Sequence, residues 1–179
     1  MILIGYMLKH GTKTLERAVK MLLEGIKPSS LTDMPQWAKF PFVFLTAEDR
    51  LSTSAWGNYT FFLDENWVEK NRNNFYVCDS NQNTGGYSFQ PFFGSEVERQ
   101  YHSDKSTSRI RAEGGQVIHC GTIPPEAISA IVTFSYKPEE AEKAKELLKY
   151  AKPGTRLIID QFHSDYGGPI YERVELKAV

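Results

Sequence analysis

The chain opens on an apolar run, Met1-Ile-Leu-Ile-Gly-Tyr-Met-Leu8, that meets Lys9 and His10. A short run of this kind bounded by polar residues predicts a buried strand over 2–8. The period then changes. Leu15, Ala18, Val19, Leu22 and Leu23 recur at helical spacing, with Glu16, Arg17 and Lys20 outside the stripe, so a helix is predicted over 15–23. Thr14 is its N-cap, and Gly25, with Pro28 soon after, is its stop. A loop with Ser29, Ser30, Asp33 and Pro35 leads to a second strand over 42–46. A short helix is expected over 47–56 and a third strand over 58–64.

Residues 66–74 are polar and 75–78 apolar again. The stretch 79–86 is rich in Asp, Ser, Asn and Gly and is the best candidate for a mobile loop. A helix over 94–101, an exposed loop over 102–108 and a strand over 116–120 follow. Pro124-Pro125-Glu126-Ala127-Ile128 reads as a short helical start, because proline is tolerated in a first turn. After a strand over 130–136 comes the clearest helix, over 138–151. It has proline at the start, Glu139, Glu140 and Glu142 early and lysines late, which complements the helix dipole. Strands over 157–160 and 171–176 close the chain. No repeat, coiled coil or linker interrupts the pattern, so residues 1–179 are read as a single domain. Short strands without regular βαβ units predict an α+β fold with a split or two-layer sheet.

Composition narrows the class. A chain of 179 residues can bury a core without staples. Its formal net charge of −1 argues against a domain held to nucleic acid mainly by a basic surface. It leaves room for an enzyme that touches a few phosphates. The two cysteines, Cys78 and Cys120, have no CxxC partner, so no metal is expected; a disulfide between them would be one staple in a domain that should not need it, and the plainer reading is two buried thiols in a reducing compartment. The opening apolar run is too short to span a bilayer and lacks the flanks of a signal peptide. The expectation is a cytoplasmic protein with no membrane partner.

Candidate chemistry begins at His10-Gly11-Thr12, straight after the first strand. A histidine there can bond a sugar hydroxyl, Gly11 lets a ligand approach the backbone and Thr12 adds a hydroxyl. The alternative is a plain turn that caps the following helix. Three further pieces keep order with it. They are the helix ending in Gly25-Ile26, the strand Val43-Phe-Leu-Thr-Ala-Glu48 running into Ser54-Ala-Trp-Gly-Asn-Tyr59, and Gln116-Val-Ile-His-Cys-Gly-Thr-Ile-Pro-Pro-Glu126.

In that order and spacing, over 1–134 in pieces, the sequence resembles the ADP-ribosyltransferase (ART) superfamily, with features of its DarT-like, DNA-modifying branch. The resemblance implies a split two-layer sheet with flanking helices around an NAD cleft. It implies NAD as substrate, a protein, DNA or RNA acceptor, and release of nicotinamide. His10 would contact the adenosine ribose and the Gly11 backbone the nicotinamide amide, with Thr12 beside them. Phe44, with Thr46 on the same strand, takes the place of a tyrosine that packs on the nicotinamide ring. Ser54 would bind the carboxamide, and Trp56 or Tyr59 would stack on the ring. Gln116 falls where the family carries its catalytic glutamate. Glu113, three residues earlier, could supply a carboxylate only through a bulge; the alternative is a solvated loop charge. Arg111, with Arg109, would hold a pyrophosphate or a nucleic-acid phosphate, or else balance Glu96, Glu98 and Asp104 as a solvated pair.

Two other readings stay open. An RNA 2′-phosphotransferase shares the fold and begins arginine-histidine-glycine-threonine. Here Lys9 replaces that arginine and Phe44 replaces a second histidine, altering two of the basic groups such an enzyme sets on phosphate. The third reading is a binding module without transfer activity, favoured by Gln116. The literal Ser52-Thr53-Ser54 of the arginine-modifying branch lies after the strand rather than at its start and is read as coincidence. His119 should point away from the face of Gln116, and His163 with Asp160 and Asp165 reads as a polar turn rather than a metal cluster. Acceptor recognition would fall to the 79–87 and 102–108 segments.

Overall fold

In the computed structural model, residues 7–36, 39–48, 50–53, 57–81, 86–95, 98–99, 115–165 and 168–179 are described. Nine strands are present among them: β1 Met7–Thr12, β2 Phe42–Glu48, β3 Tyr59–Leu63, β4 Phe75–Asn81, β5 Gly86–Pro91, β6 Gly115–Cys120, β7 Ile128–Ser135, β8 Arg156–Asp165 and β9 Gly168–Lys177. Three α-helices accompany them: α1 Leu15–Glu24, α2 Glu65–Lys70 and α3 Pro138–Lys145. The contacts gather into two compact units, each assembled from three chain segments.

The first unit takes residues 1–8, 26–50 and 65–123. Its strands run in the order β5-β4-β6-β2, all antiparallel. Phe75, Phe92, Ile118, Ile26 and Ile123 are fully buried within it. Ile26 and Ile123 exchange both backbone hydrogen bonds, at 2.8 and 2.9 Å. That bridge fixes where the chain leaves and re-enters the unit.

The second unit takes residues 9–25, 51–64 and 124–179, with strand order β1-β3-β7-β8-β9. β7 lies between an antiparallel and a parallel neighbour and is buried along nearly its whole length, as a central strand must be. A parallel pair needs a crossover, and α3 with the 3-10 turn Glu146–Lys149 supplies it. This βαβ unit was not expected. The buried face of α1, Ala18 and Leu22, packs on the 3-10 turns Pro125–Ala127 and Glu146–Lys149.

The local signals around α1 hold. Thr14 Oγ1 accepts from the Arg17 amide at 3.2 Å, and Gly25 ends the helix at φ 89°. Other expectations need correction. The first strand runs on to Thr12 rather than ending at Leu8, while residues 2–6 of the expected span fall outside the described set. No helix is described over 47–56: Ala47 and Glu48 finish β2, and residues 51–53 have no regular structure. The polar 66–74 stretch forms most of α2 and the 3-10 turn Arg72–Asn74. Residues 79–81 belong to β4 and pair with β5, which begins at Gly86, so the described part of the expected loop is strand. The polar Asp160 to Asp165 turn is likewise the second half of β8. α3 stops at Lys145, where the sequence suggested 151. Cys120 is exposed, not buried. The expected 102–108 loop lies outside the described residues, as do residues 96–97 and 100–101 of the expected 94–101 helix, of which residues 98–99 are helical. No described helix is long and apolar enough to cross a membrane.

Candidate functional site

In the second unit, antiparallel pairing of β1 with β3 lines up the leading candidates. His10 lies opposite Phe61, Gly11 opposite Thr60, and Thr12 opposite Tyr59. They are therefore strand residues, and the turn reading of His10-Gly11-Thr12 fails. His10, Gly11 and Tyr59 are half-buried and Thr12 is buried. Burial first, and the charge of Glu140 second, push the Tyr59 phenol above its ordinary range. It stays protonated and can donate a hydrogen bond at neutral pH.

Lys9, the residue before His10, is only 2% exposed. A buried ammonium must be hydrogen-bonded or it costs several kcal/mol or more. Its Nζ donates to Ser52 Oγ at 3.2 Å and to the Thr53 carbonyl at 3.3 Å. It also stands 5.9 Å from the ring centre of Phe62, its cross-strand partner. A second cation reaches the same segment. Arg173 on β9 donates through Nη2 to the Leu51 carbonyl at 3.0 Å. Its guanidinium also grips Asp160 by two bonds, Nε to Oδ1 at 2.7 Å and the same Nη2 to Oδ2 at 3.1 Å. Asp160 and Arg173 face each other across β8 and β9. Beyond that segment, Gly57 packs directly on the Thr12 backbone, where no side chain fits.

In the first unit, Phe44 and Thr46 are alternate residues of β2 and both are half-buried. Phe44 meets the rings of Phe40 and Phe42 edge-on, each at 5.1 Å. Phe40 is itself fixed, its amide donating to Ser29 Oγ at 2.8 Å. The ring at the tyrosine position is therefore held by an aromatic cluster over Ile118. Gln116 is a backbone partner of Cys78 across β6 and β4, one residue before the Leu45–Val117 pair of β2 and β6. Ser54, Trp56, Arg109, Arg111 and Glu113 fall outside the described residues.

His119, three residues on, is 3% exposed and wedged between Phe75 and Trp67, with ring centres 4.9 and 5.6 Å away. Its Nδ1 lies 2.9 Å from the Gly121 carbonyl. A carbonyl only accepts, so Nδ1 carries the proton and Nε2, buried without a partner, keeps its lone pair. Burial pushes the imidazole below the ordinary histidine range, and the Gly121 bond opposes this in part. The unfolded chain then binds the proton more readily, so stability rises with pH in that window. The folded state should weaken as pH falls below about 6.5, the free histidine value. The melting temperature of the wild type is expected to drop more steeply from neutral to mildly acid pH than that of His119→Gln. Parallel slopes would clear His119 of the effect.

Sequence reasoning missed Lys9 as an internal cation, the Asp160 and Arg173 pair, and the tight seat of Gly57. A lysine set directly after an apolar run was the one visible signal. Among the described residues no group of three metal-ligating side chains gathers.

No protein-family model matches this chain, and no curated protein does. Among solved structures the chain is similar to DarT of Thermus sp. 2.9 in complex with NAD+. The TM-score is 0.51 at 12% identity, over 88% of this chain and 96% of that one. It is similar as well to the same protein in complex with ADP-ribosylated ssDNA, with TM-score 0.50 at 11% identity, over 83% and 91% of the two chains. The mixed α and β fold of this chain is thus the ADP-ribosyltransferase fold of DarT, as the sequence resemblance implied.

Proposed function

We propose that this chain is an NAD-dependent ADP-ribosyltransferase that releases nicotinamide and passes ADP-ribose to a macromolecular acceptor. The observation that carries the reading is the span of the fold match, which leaves little of either chain without a counterpart in the NAD+ complex. Fold alone does not assign a reaction, so the residues must add to it. His10, Gly11 and Thr12 stand in order on β1 of the second unit. There the imidazole bonds the adenosine ribose and the side-chain-free Gly11 admits the nicotinamide amide to its backbone. Tyr59 or Trp56 stacks on the ring, Ser54 bonds the carboxamide and Arg111 the pyrophosphate. In the first unit, Phe44 stands for the family's tyrosine, with Thr46 beside it on the strand, and Gln116 for its glutamate.

The reaction breaks the bond between the ribose anomeric carbon and nicotinamide. Nicotinamide leaves neutral with the bonding pair, and positive charge builds on the sugar, as in glycoside cleavage. A nucleophilic oxygen or nitrogen of the acceptor bonds to that carbon and gives its proton to water. Gln116 presents an amide dipole to this charge where a carboxylate would present a full one. Single-stranded DNA is the first acceptor to try, because it is the modified molecule in the second DarT complex.

Lys9 counts against the RNA 2′-phosphotransferase. Its ammonium is buried and bonded to Ser52 and Thr53, whereas that reaction needs a cation facing phosphate.

Incubation with labelled NAD and three pools, cell protein, single-stranded DNA and RNA, tests the proposal. Label is expected in one pool, with kcat/KM falling about tenfold or more in His10→Ala. Bound NAD with neither label transfer nor nicotinamide release would favour the non-enzymatic module. Absence of NAD binding would overturn the assignment.

A further inference from the structure

Two cations converge on three consecutive residues of the second unit. Lys9 bonds Ser52 Oγ and the Thr53 carbonyl, and Arg173 bonds the Leu51 carbonyl. Residues 51–53 have no strand or helix to hold them, so these side-chain bonds stand in for a backbone ladder. Both cations are themselves fixed. Lys9 lies on β1 over Phe62, and Arg173 is clasped in a fork by Asp160, a residue 7% exposed. A bidentate arginine and carboxylate pair sets direction as well as distance. Four residues beyond Thr53, Gly57 rests on the backbone of Thr12. The chain between these anchors carries Ser54 and Trp56.

We propose that Lys9 and Arg173 are positioning residues: together they clamp residues 51–53 beside the His10-Gly11-Thr12 strand and so set the affinity for NAD. The inference rests on the NAD reading above. Neither side chain needs to touch NAD. Each acts through the segment it holds, and a misplaced segment loses binding energy even when the reacting groups are intact. Lys9 is suited to this because its ammonium satisfies a hydroxyl and a carbonyl at once, which a neutral side chain of that length cannot.

The test uses the full chain and the variants Lys9→Met, Lys9→Arg, Arg173→Met and Ser52→Ala. The first readout needs no NAD: the rate of tryptic cutting between Arg50 and Leu51 in the native protein, which follows local opening. Lys9→Met and Arg173→Met should each speed that cut about tenfold, a charge-assisted hydrogen bond being lost in either. An unchanged cutting rate in both overturns the clamp. The second readout is nicotinamide release. KM for NAD should rise about tenfold in Lys9→Met with kcat changed little. Ser52→Ala should show a smaller rise and Lys9→Arg a partial return toward wild type. Faster cutting with an unchanged KM overturns the positioning role and leaves the NAD reading standing. If the wild type neither binds nor cleaves NAD, the NAD reading itself falls, and the positioning role with it, whatever the protease shows. A variant that fails to fold is replaced by Ser52→Ala, a half-buried site where only a hydroxyl is removed; wild-type cutting and KM in Ser52→Ala would then overturn the clamp.

Discussion

Gly57→Ala should destabilise the protein by about 3 kcal/mol, at the upper end of what overpacking a tight site costs. Gly25 and Gly121 need glycine for conformation, with φ values of 89° and 87°. Gly57 needs it for space. A Cβ there would stand 2.7 Å from the Thr12 nitrogen, 2.5 Å from its carbonyl carbon, and against the carbonyl oxygen. Those atoms are backbone of a paired strand, with Thr12 locked opposite Tyr59, so no rotamer change relieves the clash. Relief requires that residue 57 and β1 move apart. The urea midpoint should fall while the m-value holds, and NAD use should fall further than stability alone explains. A midpoint equal to wild type would show that Gly57 does not sit on Thr12.

Local signals were legible where a single residue decides the outcome. Thr14 caps α1 and Gly25 stops it because each satisfies a terminal backbone group within one turn. Pro138 starts α3 because its missing N–H needs no partner in a first turn, and the Glu140 carboxylate accepts the Tyr136 amide just ahead of it at 2.8 Å. Hydrophobic runs, by contrast, located strands without fixing their limits. β1 extends through the polar Lys9, His10 and Thr12, because pairing with β3 and, for Lys9, hydrogen bonds to Ser52 and Thr53 tolerate them. β8 runs on through polar Gln161, His163 and Ser164, since β9 pairs with it residue for residue from Arg156 to Asp165. Composition reports side-chain polarity, and cross-strand partners lie far along the chain, so such extensions are invisible locally. The same distance hid the clamp. Asp160 and Arg173 were a turn residue and an unremarked arginine until β8 and β9 set them side by side, and Arg173 lies 122 residues from Leu51. His10-Gly11-Thr12 could be picked out as a motif because its residues are contiguous in the sequence, but its place inside β1, opposite Tyr59 to Phe61, depended on the distant β3.

Gln116→Ala should lower kcat for nicotinamide release about 100-fold, the typical cost of removing one group that meets developing charge, with KM for NAD and the melting temperature little changed. Gln116 is held by register rather than by a loop: it pairs with Cys78 on β4, and Val117 after it pairs with Leu45 on β2. A side-chain substitution there leaves the ladder intact, which separates chemistry from folding. Gln116→Glu asks the sharper question. A full negative charge near the sugar stabilises its positive charge more than an amide dipole does, so release should rise several-fold at neutral pH. The variant should also gain an acid limb near about pH 4, where the new carboxylate takes up a proton, and the wild type should lack that limb. If Ala and Glu are both inactive, the amide itself is required, as a donor to a ribose hydroxyl that no carboxylate can replace. If Ala is as active as the wild type, the charge is met elsewhere, and Glu113, three residues upstream, becomes the carboxylate to replace next.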